Sequence, residues 1–289
     1  MSDTVQVQWF PGHMAKTRRL IGESLPLVDG IVEIVDARIP ISSRNPELDS
    51  WLKGKPRIIL LNKADIADEA STRLWIAHYE KQGIKTLPVD CKTGKGLGGF
   101  TALVNQMLGS VLEKYKAKGM TGRTLRLMVV GIPNVGKSSF INRMAGGSKA
   151  KVADKPGVTR GNQWFTIGKG IELMDTAGVL WPKFDDPKVG ERLAFTGAVK
   201  DVVTDVELLA VRLLDIVGLH YASMLEERYK ITIPEGIDGY DLLQLIGKKR
   251  GMLISGGEID TERASVMVLD EYRGGKWGRI TLELPGEEE

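Results

Sequence analysis

The sequence predicts an α/β fold with a mostly parallel sheet, followed by a smaller, mainly helical domain. Three observations carry that prediction. Short apolar runs alternate with amphipathic stretches from about Val28 to Asp175. The runs are too short and too rich in β-branched residues to be core helices. After Trp181-Pro182 the apolar residues fall at helical spacing instead.

The runs at 30–37 (GIVEIVDA), 57–62 (RIILLN), 84–90 (IKTLPVD) and 125–131 (LRLMVVG) read as buried strands. Asp68 to Gln82 and Leu97 to Tyr115 read as the helices between them. Strands alternating with helices predict a parallel sheet covered on both faces. Further on, Val206, Leu209, Ala210, Leu213 and Val217 mark one helix, and Tyr240, Leu243 and Ile246 mark another. A short extended segment is expected from Ile280. The division this suggests is 1–184 for the α/β domain with its N-terminal arm, and 185–289 for the helical domain.

Composition is that of a globular chain: 289 residues, 42% apolar and 27% charged. No run is long enough to span a membrane, and the N-terminus lacks the apolar core of a secretory signal. The single cysteine, Cys91, excludes an internal disulfide and a cysteine-rich metal site. These features lead to the expectation of a cytoplasmic protein with no membrane partner. Net charge is +3, so local basic patches matter more than the total.

Gly131 to Ser138 (GIPNVGKS) fits the G-x-x-x-x-G-K-[ST] phosphate loop, with an apolar strand before it and an apolar helix after it. Glycines let backbone N–H groups turn toward a phosphate chain, and the helix N-terminus adds partial positive charge. Asn134, Val135, Gly136, Lys137, Ser138 and Ser139 are the candidate cradle. Lys137 is suited to the β- and γ-phosphates, and Ser138 to Mg²⁺.

Asn62-Lys63-Ala64-Asp65 follows the strand RIILL and fits the N-K-x-D element that reads guanine. The Asp65 carboxylate can accept from both guanine N1–H and the 2-amino group. Adenine offers no such donor pair and would leave the carboxylate unpaired. The Lys63 stem can lie across the base, and Asn62 can brace the loop. Cys91 and Lys92, after the strand IKTLPV, would complete the pocket mostly through backbone. Asp175-Thr-Ala-Gly178 ends another strand, so Asp175 is a candidate Mg²⁺ ligand, and the Gly178 N–H a sensor of the γ-phosphate. Thr159, in PGVTR, is the candidate switch threonine for Mg²⁺ and the γ-phosphate.

The N-K-x-D element precedes the phosphate loop by about seventy residues, the reverse of the usual order. Every motif still sits at the carboxyl end of a strand, where ligands collect in such sheets. Rejoining loops leaves that edge intact. The expectation is a P-loop GTPase domain in circularly permuted motif order.

WFPGHMAK, DARIP, LNKAD, GIPNVGKSSFINR, GVTRG and DTAGVLWP, in this order, resemble the circularly permuted GTPases of the ribosome biogenesis GTPase A (YlqF) family. The resemblance is dense over the GTPase domain and looser beyond it. It implies binding and hydrolysis of GTP with Mg²⁺, in the cytoplasm, and help in late assembly of the large (50S) ribosomal subunit. It also implies a C-terminal helical domain that contacts ribosomal RNA, with no DNA partner. Cys91 departs from the small residue more usual there.

Residue 179, where many GTPases carry a water-positioning glutamine, is Val179. His13, in FPGHM, is the candidate catalytic residue, supported by the resemblance, since a neutral imidazole can orient or deprotonate water; the alternative is that His13 belongs to an arm that binds RNA or packs on the core. Related GTPases with asparagine at position 134 use a K⁺ ion beside the phosphates, so Asn134 is also a candidate metal ligand. Basic and aromatic residues group at Trp9, Phe10, Lys16, Arg18 and Arg19, at Lys248 to Arg250, and at Arg273, Lys276, Trp277 and Arg279. Such groups suit phosphate contact with base stacking, although a charge cluster is commonly just a solvated face. Two rivals stand beside the hydrolase: a GTP-dependent RNA-binding switch with negligible turnover, and an ATP-using P-loop enzyme. The second requires Asn62 to Asp65 to be accidental.

Overall fold

A computed structural model describes residues 11–52, 54–120, 122–146, 163–168, 170–176, 178, 186–199 and 205–286; for 11–17 it describes the backbone alone. Of these, residues up to 178 and from 283 onward form one compact unit, and 186–282 form another. The expected second domain of 185–289 thus differs at its end, where Glu283 and the residues after it belong to the first unit.

The first unit opens with α1 (Pro11–Ser24) and is built on six strands: β1 (Gly30–Asp36), β2 (Arg57–Asn62), β3 (Lys85–Val89), β4 (Leu125–Val130), β5 (Gln163–Ile167) and β6 (Ile171–Asp175). The sheet order is β3-β2-β1-β4-β6-β5. All neighbours are parallel except β5 and β6, which form an antiparallel hairpin at one edge. Every residue of β1 is buried, as its near-continuous apolar run requires in the middle of a parallel sheet. Strand β5 is absent from the sequence pattern: QWFTI is short, and only its cross-strand partners on β6 define it.

The connecting helices are α2 (Leu48–Leu52), α3 (Glu69–Lys81), α4 (Phe100–Met107), α5 (Gly109–Ala117) and α6 (Lys137–Met144). The helix expected over Leu97 to Tyr115 is broken. A 3-10 turn covers Leu97–Gly99, and the chain re-aims at Leu108, whose side chain is fully buried. Helix α3 starts where Asp68 caps it, accepting from Ser71 N–H at 2.7 Å. One apolar cluster lies beneath α1 and α2, with Ile21, Leu25, Trp51, Met128 and Trp164. In another, Trp75 and Tyr79 of α3 pack on Val35, Ile59 and Leu61.

Register fixes what matters for the site. Asp36 pairs with Asn62, Asn62 with Val89, and Val129 with Asp175. The carboxyl ends of β1, β2, β3, β4 and β6 therefore align along one edge. Helical crossovers diverge between β1 and β4, which is where open α/β sheets bind ligands.

The second unit contains α7 (Pro187–Phe195), α8 (Val206–His220), α9 (Ala222–Tyr229), α10 (Gly239–Lys249) and α11 (Thr261–Arg273). Aspartates cap four of these five: Asp186, Asp205, Asp238 and Asp260 each accept from first-turn N–H groups. Helix α8 buries Leu209, Ala210, Leu213, Leu214 and Val217, and packs against α10 and α11. Among the described residues no single helix is long and apolar enough to cross a membrane. The segment from Ile280 to Leu284 forms neither helix nor strand, and Glu283 is buried in the first unit. There its carboxylate accepts from Ser42 N–H at 3.0 Å and from the Ser42 hydroxyl, while its carbonyl accepts from Trp75 Nε1 at 2.9 Å.

Candidate nucleotide-binding site

The phosphate loop joins β4 to α6. Gly136 ends it with φ +110°, and a Cβ there would lie 2.2 Å from Asn62 Nδ2. Only glycine suits both the left-handed backbone and that approach. Lys137 is buried, its ammonium donating to Ile132 O at 2.7 Å and Gly131 O at 3.1 Å. Burial lowers its pKa to about 8, against the opposing charge of Asp175. Asp175 is shifted upward by burial, opposed by Lys137 and by the Thr176 N–H.

Asn134, Lys137, Ser138, Gln163, Asp175 and Gly178 line one cavity of about 370 Å³. Gly178 lies against the phosphate loop: a Cβ on it would meet Pro133 N at 2.7 Å and Lys137 Nζ at 3.0 Å. Among the described residues no group of three or more His, Cys, Asp or Glu is placed to hold a metal. Mg²⁺ needs no such cage, because it binds through one or two protein oxygens with phosphate and water completing its shell. One hydroxyl and one carboxylate, from Ser138 and Asp175, in a single cavity with a lysine fit that requirement. Ser139 follows on the exposed side of the first turn of α6.

The second half of the site is the end of β2. Asn62 Nδ2 donates to Val135 O at 2.7 Å, and Asn62 Oδ1 accepts from Cys91 N–H at 2.9 Å. One amide thus ties the N-K-x-D loop to the phosphate loop and to the turn after β3. Asp90 shapes that turn by accepting from Lys92 N–H at 2.8 Å and from the Thr93 hydroxyl. Arg143 of α6 donates to Lys92 O. Cys91 is 1% exposed, and burial pushes its thiol up to about 12, with Asp90 adding to the shift. Lys63 takes φ +61°, and its ammonium lies 2.8 Å from Asp36 Oδ2. Asp65, in the turn after β2, is exposed.

The structure thus gathers Asn62, Lys63, Cys91, Val135, Gly136, Lys137, Ser138, Asp175 and Gly178 on one edge, with Asp65 and Lys92 in loops beside it. Thr159, Val179, Trp9 and Phe10 lie outside the described residues, as do the side chains of His13 and Lys16; the His13 backbone belongs to α1. Sequence reasoning assigns no role to Asp36, Arg38, Arg143 or Gln163. The only local hint is the charged DAR at the end of a buried strand, within the DARIP motif.

The basic-aromatic groups fare unevenly. Trp277 is 4% exposed and donates to Tyr229 at 2.8 Å, so it is not available to stack on a base. That corrects the expectation: Trp277 belongs to the apolar centre of the helical unit. Arg273 donates to Ala194 O at 2.8 Å and Phe195 O at 3.1 Å, closing the end of α7. Arg250 lies over the Tyr229 ring, and Arg18 over Trp51. Lys248, Lys249, Lys276 and Arg279 remain exposed.

A family described as "50S ribosome-binding GTPase" matches residues 126–224. The Ribosome biogenesis GTPase A of Bacillus cereus is 47% identical over 97% of this chain and 95% of its own length. Among solved structures, a GDP-bound YlqF aligns with TM-score 0.65 and 27% identity, covering 93% of this chain and all (100%) of that one. A GNP-bound YlqF from Thermotoga maritima aligns with TM-score 0.63 and 27% identity, over 94% and 99%. With the permuted sheet edge, the paired motifs and an identity of this level over nearly the whole length, the chain belongs to the ribosome biogenesis GTPase A family of GTPases.

Proposed function

We propose that the chain binds GTP with its base at Asn62 to Asp65 and its phosphates in the Gly131 to Ser138 loop, and that its nucleotide state governs work on the large ribosomal subunit during late assembly. The observation that carries the reading is the Asn62 brace, because it ties the N-K-x-D loop to the phosphate loop through one side chain. The name of the Bacillus cereus relative supports the ribosomal part.

In this reading Lys137 exchanges its two carbonyl acceptors for β- and γ-phosphate oxygens. Ser138, Asp175 and Thr159 hold Mg²⁺, which neutralises charge on the phosphates. The Gly178 N–H meets the γ-phosphate. Cys91 and Lys92 close the base pocket through backbone groups. His13 orients the attacking water in place of a glutamine at position 179, and Asn134 contributes to a K⁺ site. Turnover is slow alone and rises on the particle. The helical unit supplies RNA contacts, through Lys248, Lys249, Lys276 and Arg279.

The test is co-sedimentation with large ribosomal subunits under GTP, GDP and a non-hydrolysable analogue, with single-turnover hydrolysis with and without subunits. Binding that depends on the nucleotide and falls with salt supports the reading. Binding blind to both refutes it. Val179 favours one second reading, an RNA-binding switch with negligible hydrolysis. Turnover unchanged by subunits, by His13→Ala and by replacing KCl with NaCl would select it.

A further inference from the structure

Asp36, the last residue of β1, is 2% exposed and faces two cations. Arg38 grips it in a fork, Nε to Oδ1 at 3.0 Å and Nη2 to Oδ2 at 2.9 Å. Lys63 adds its ammonium to Oδ2 at 2.8 Å, from the end of the neighbouring strand. Burial alone would raise the Asp36 pKa, but Arg38 and Lys63 hold it well below the usual carboxylate range.

One guanidinium in fork geometry already compensates a buried carboxylate. Arg38, itself 1% exposed, does so from two residues away. The second cation is therefore not required to keep Asp36 charged. What the Lys63 contact changes is Lys63: a long, flexible side chain is held at its head. Its backbone is held too. Lys63 is one of three non-glycine residues at positive φ among those described, and another, Asn134, lies in the phosphate loop. Left-handed backbone at a non-glycine residue is uncommon and gathers at functional sites. Ala64 N–H to Val89 O at 3.1 Å and Ile66 N–H to Lys63 O at 3.1 Å secure that turn. The Asp36 end is equally secure, its N–H donating to the Ser43 hydroxyl at 3.0 Å.

We propose that Asp36 is a positioning residue of the guanine site, anchoring the Lys63 ammonium so that the Lys63 methylene stem stands as a fixed wall against the base, with Arg38 fixing the carboxylate. The proposal rests on the reading of Asn62 to Asp65 as the base-reading loop. Asp36 acts through Lys63 and does not touch the nucleotide. An unanchored stem would lose its rotamer freedom at each binding event, so the loss falls on affinity.

The experiment measures binding of a fluorescent GDP analogue and steady-state GTP turnover by the full-length chain carrying Lys63→Ala, Lys63→Met, Asp36→Asn or the Asp36→Asn/Lys63→Met pair. Lys63→Met keeps the stem and removes the anchor point, and it leaves the Asp36–Arg38 fork untouched, so it stays informative should Asp36→Asn fail to fold. The expected result is that Lys63→Met weakens GDP binding roughly tenfold, as much as Lys63→Ala does. The loss appears in KM for GTP rather than in kcat. Asp36→Asn matches it, and the double variant is no weaker than either single one, because both remove the same contact. Lys63→Met binding as tightly as wild type while Lys63→Ala is weak would overturn the anchor. Losses that multiply in the double variant would overturn it as well. Wild-type binding by Lys63→Ala would instead remove the base-site reading itself.

Discussion

The side-chain amide of Asn62 donates to the carbonyl of Val135 at 2.7 Å, across 73 residues of sequence. Its oxygen simultaneously accepts from Cys91 N–H at 2.9 Å. Both partners are buried, so removing the amide strands a donor and an acceptor. Asn62→Ala should weaken GDP binding by about 2–3 kcal/mol, equivalent to roughly 30–150-fold. Asn62→Asp should be no better, since a carboxylate oxygen would face Val135 O. Titration calorimetry with GDP reads both.

Gly136→Ala should all but abolish binding of guanine nucleotides. A Cβ 2.2 Å from Asn62 Nδ2, on a backbone at φ +110°, displaces the brace and strains the loop together. Equilibrium dialysis with labelled GDP checks this. Retained affinity would mean the loop can re-form around a larger residue.

Asp65→Asn should turn preference from GTP to xanthosine triphosphate. The exposed carboxylate can accept from the two guanine donors, whereas an amide can donate to the 2-oxo group of xanthine. Competition of the three triphosphates, ATP included, against the fluorescent GDP analogue measures the change. Wild-type protein should reject ATP by orders of magnitude.

Cys91 should resist thiol reagents until the protein opens. It is 1% exposed with its thiol pushed up to about 12. At neutral pH that leaves on the order of a thousandth of the thiolate an ordinary cysteine would carry. Stability responds in a fixed direction. Between an unfolded value near 9.0 and a folded value of about 12, the unfolded chain has lost the proton and the folded chain has kept it, so stability falls as pH rises above about 9. Reaction with a chromogenic disulfide, with and without denaturant and from pH 7 to 10, tracks both effects.

Glu283→Ala should destabilise the first unit by about 2–3 kcal/mol, because the Ser42 N–H and hydroxyl lose a buried acceptor. Glu283→Gln, which retains an acceptor oxygen, should cost less. Thermal melts by circular dichroism compare the two. Equal melting temperatures in all three proteins would show that the loop 37–45 finds other partners.

Much of this protein is legible without any tertiary contact. The four strands at 30–37, 57–62, 84–90 and 125–131 appear at those places to within a residue, because a buried parallel strand is a local run of apolar, β-branched residues. The phosphate loop and N-K-x-D are equally local, since each is a short run whose chemistry is complete in itself. Their meeting on one edge comes from parallel strands alone. What the sequence leaves undetermined depends on partners far along the chain. Strand β5 exists only beside β6, and the helix over 97–115 breaks where Leu108 turns into the core. Trp277 reads as a surface aromatic beside arginines until Tyr229 and Tyr272 enclose it. Glu283 reads as one more residue of an extended segment until Ser42 and Trp75 bind it. The same holds for Asp36: a charge at the end of a strand announces no role, and only the register that sets Asp36 beside Asn62 brings it to Lys63. Sequence alone determined which chemistry the chain carries, because that chemistry resides in contiguous motifs. Tertiary structure decided which charges and aromatics are free to use it, because burial and pairing depend on residues that only folding brings together.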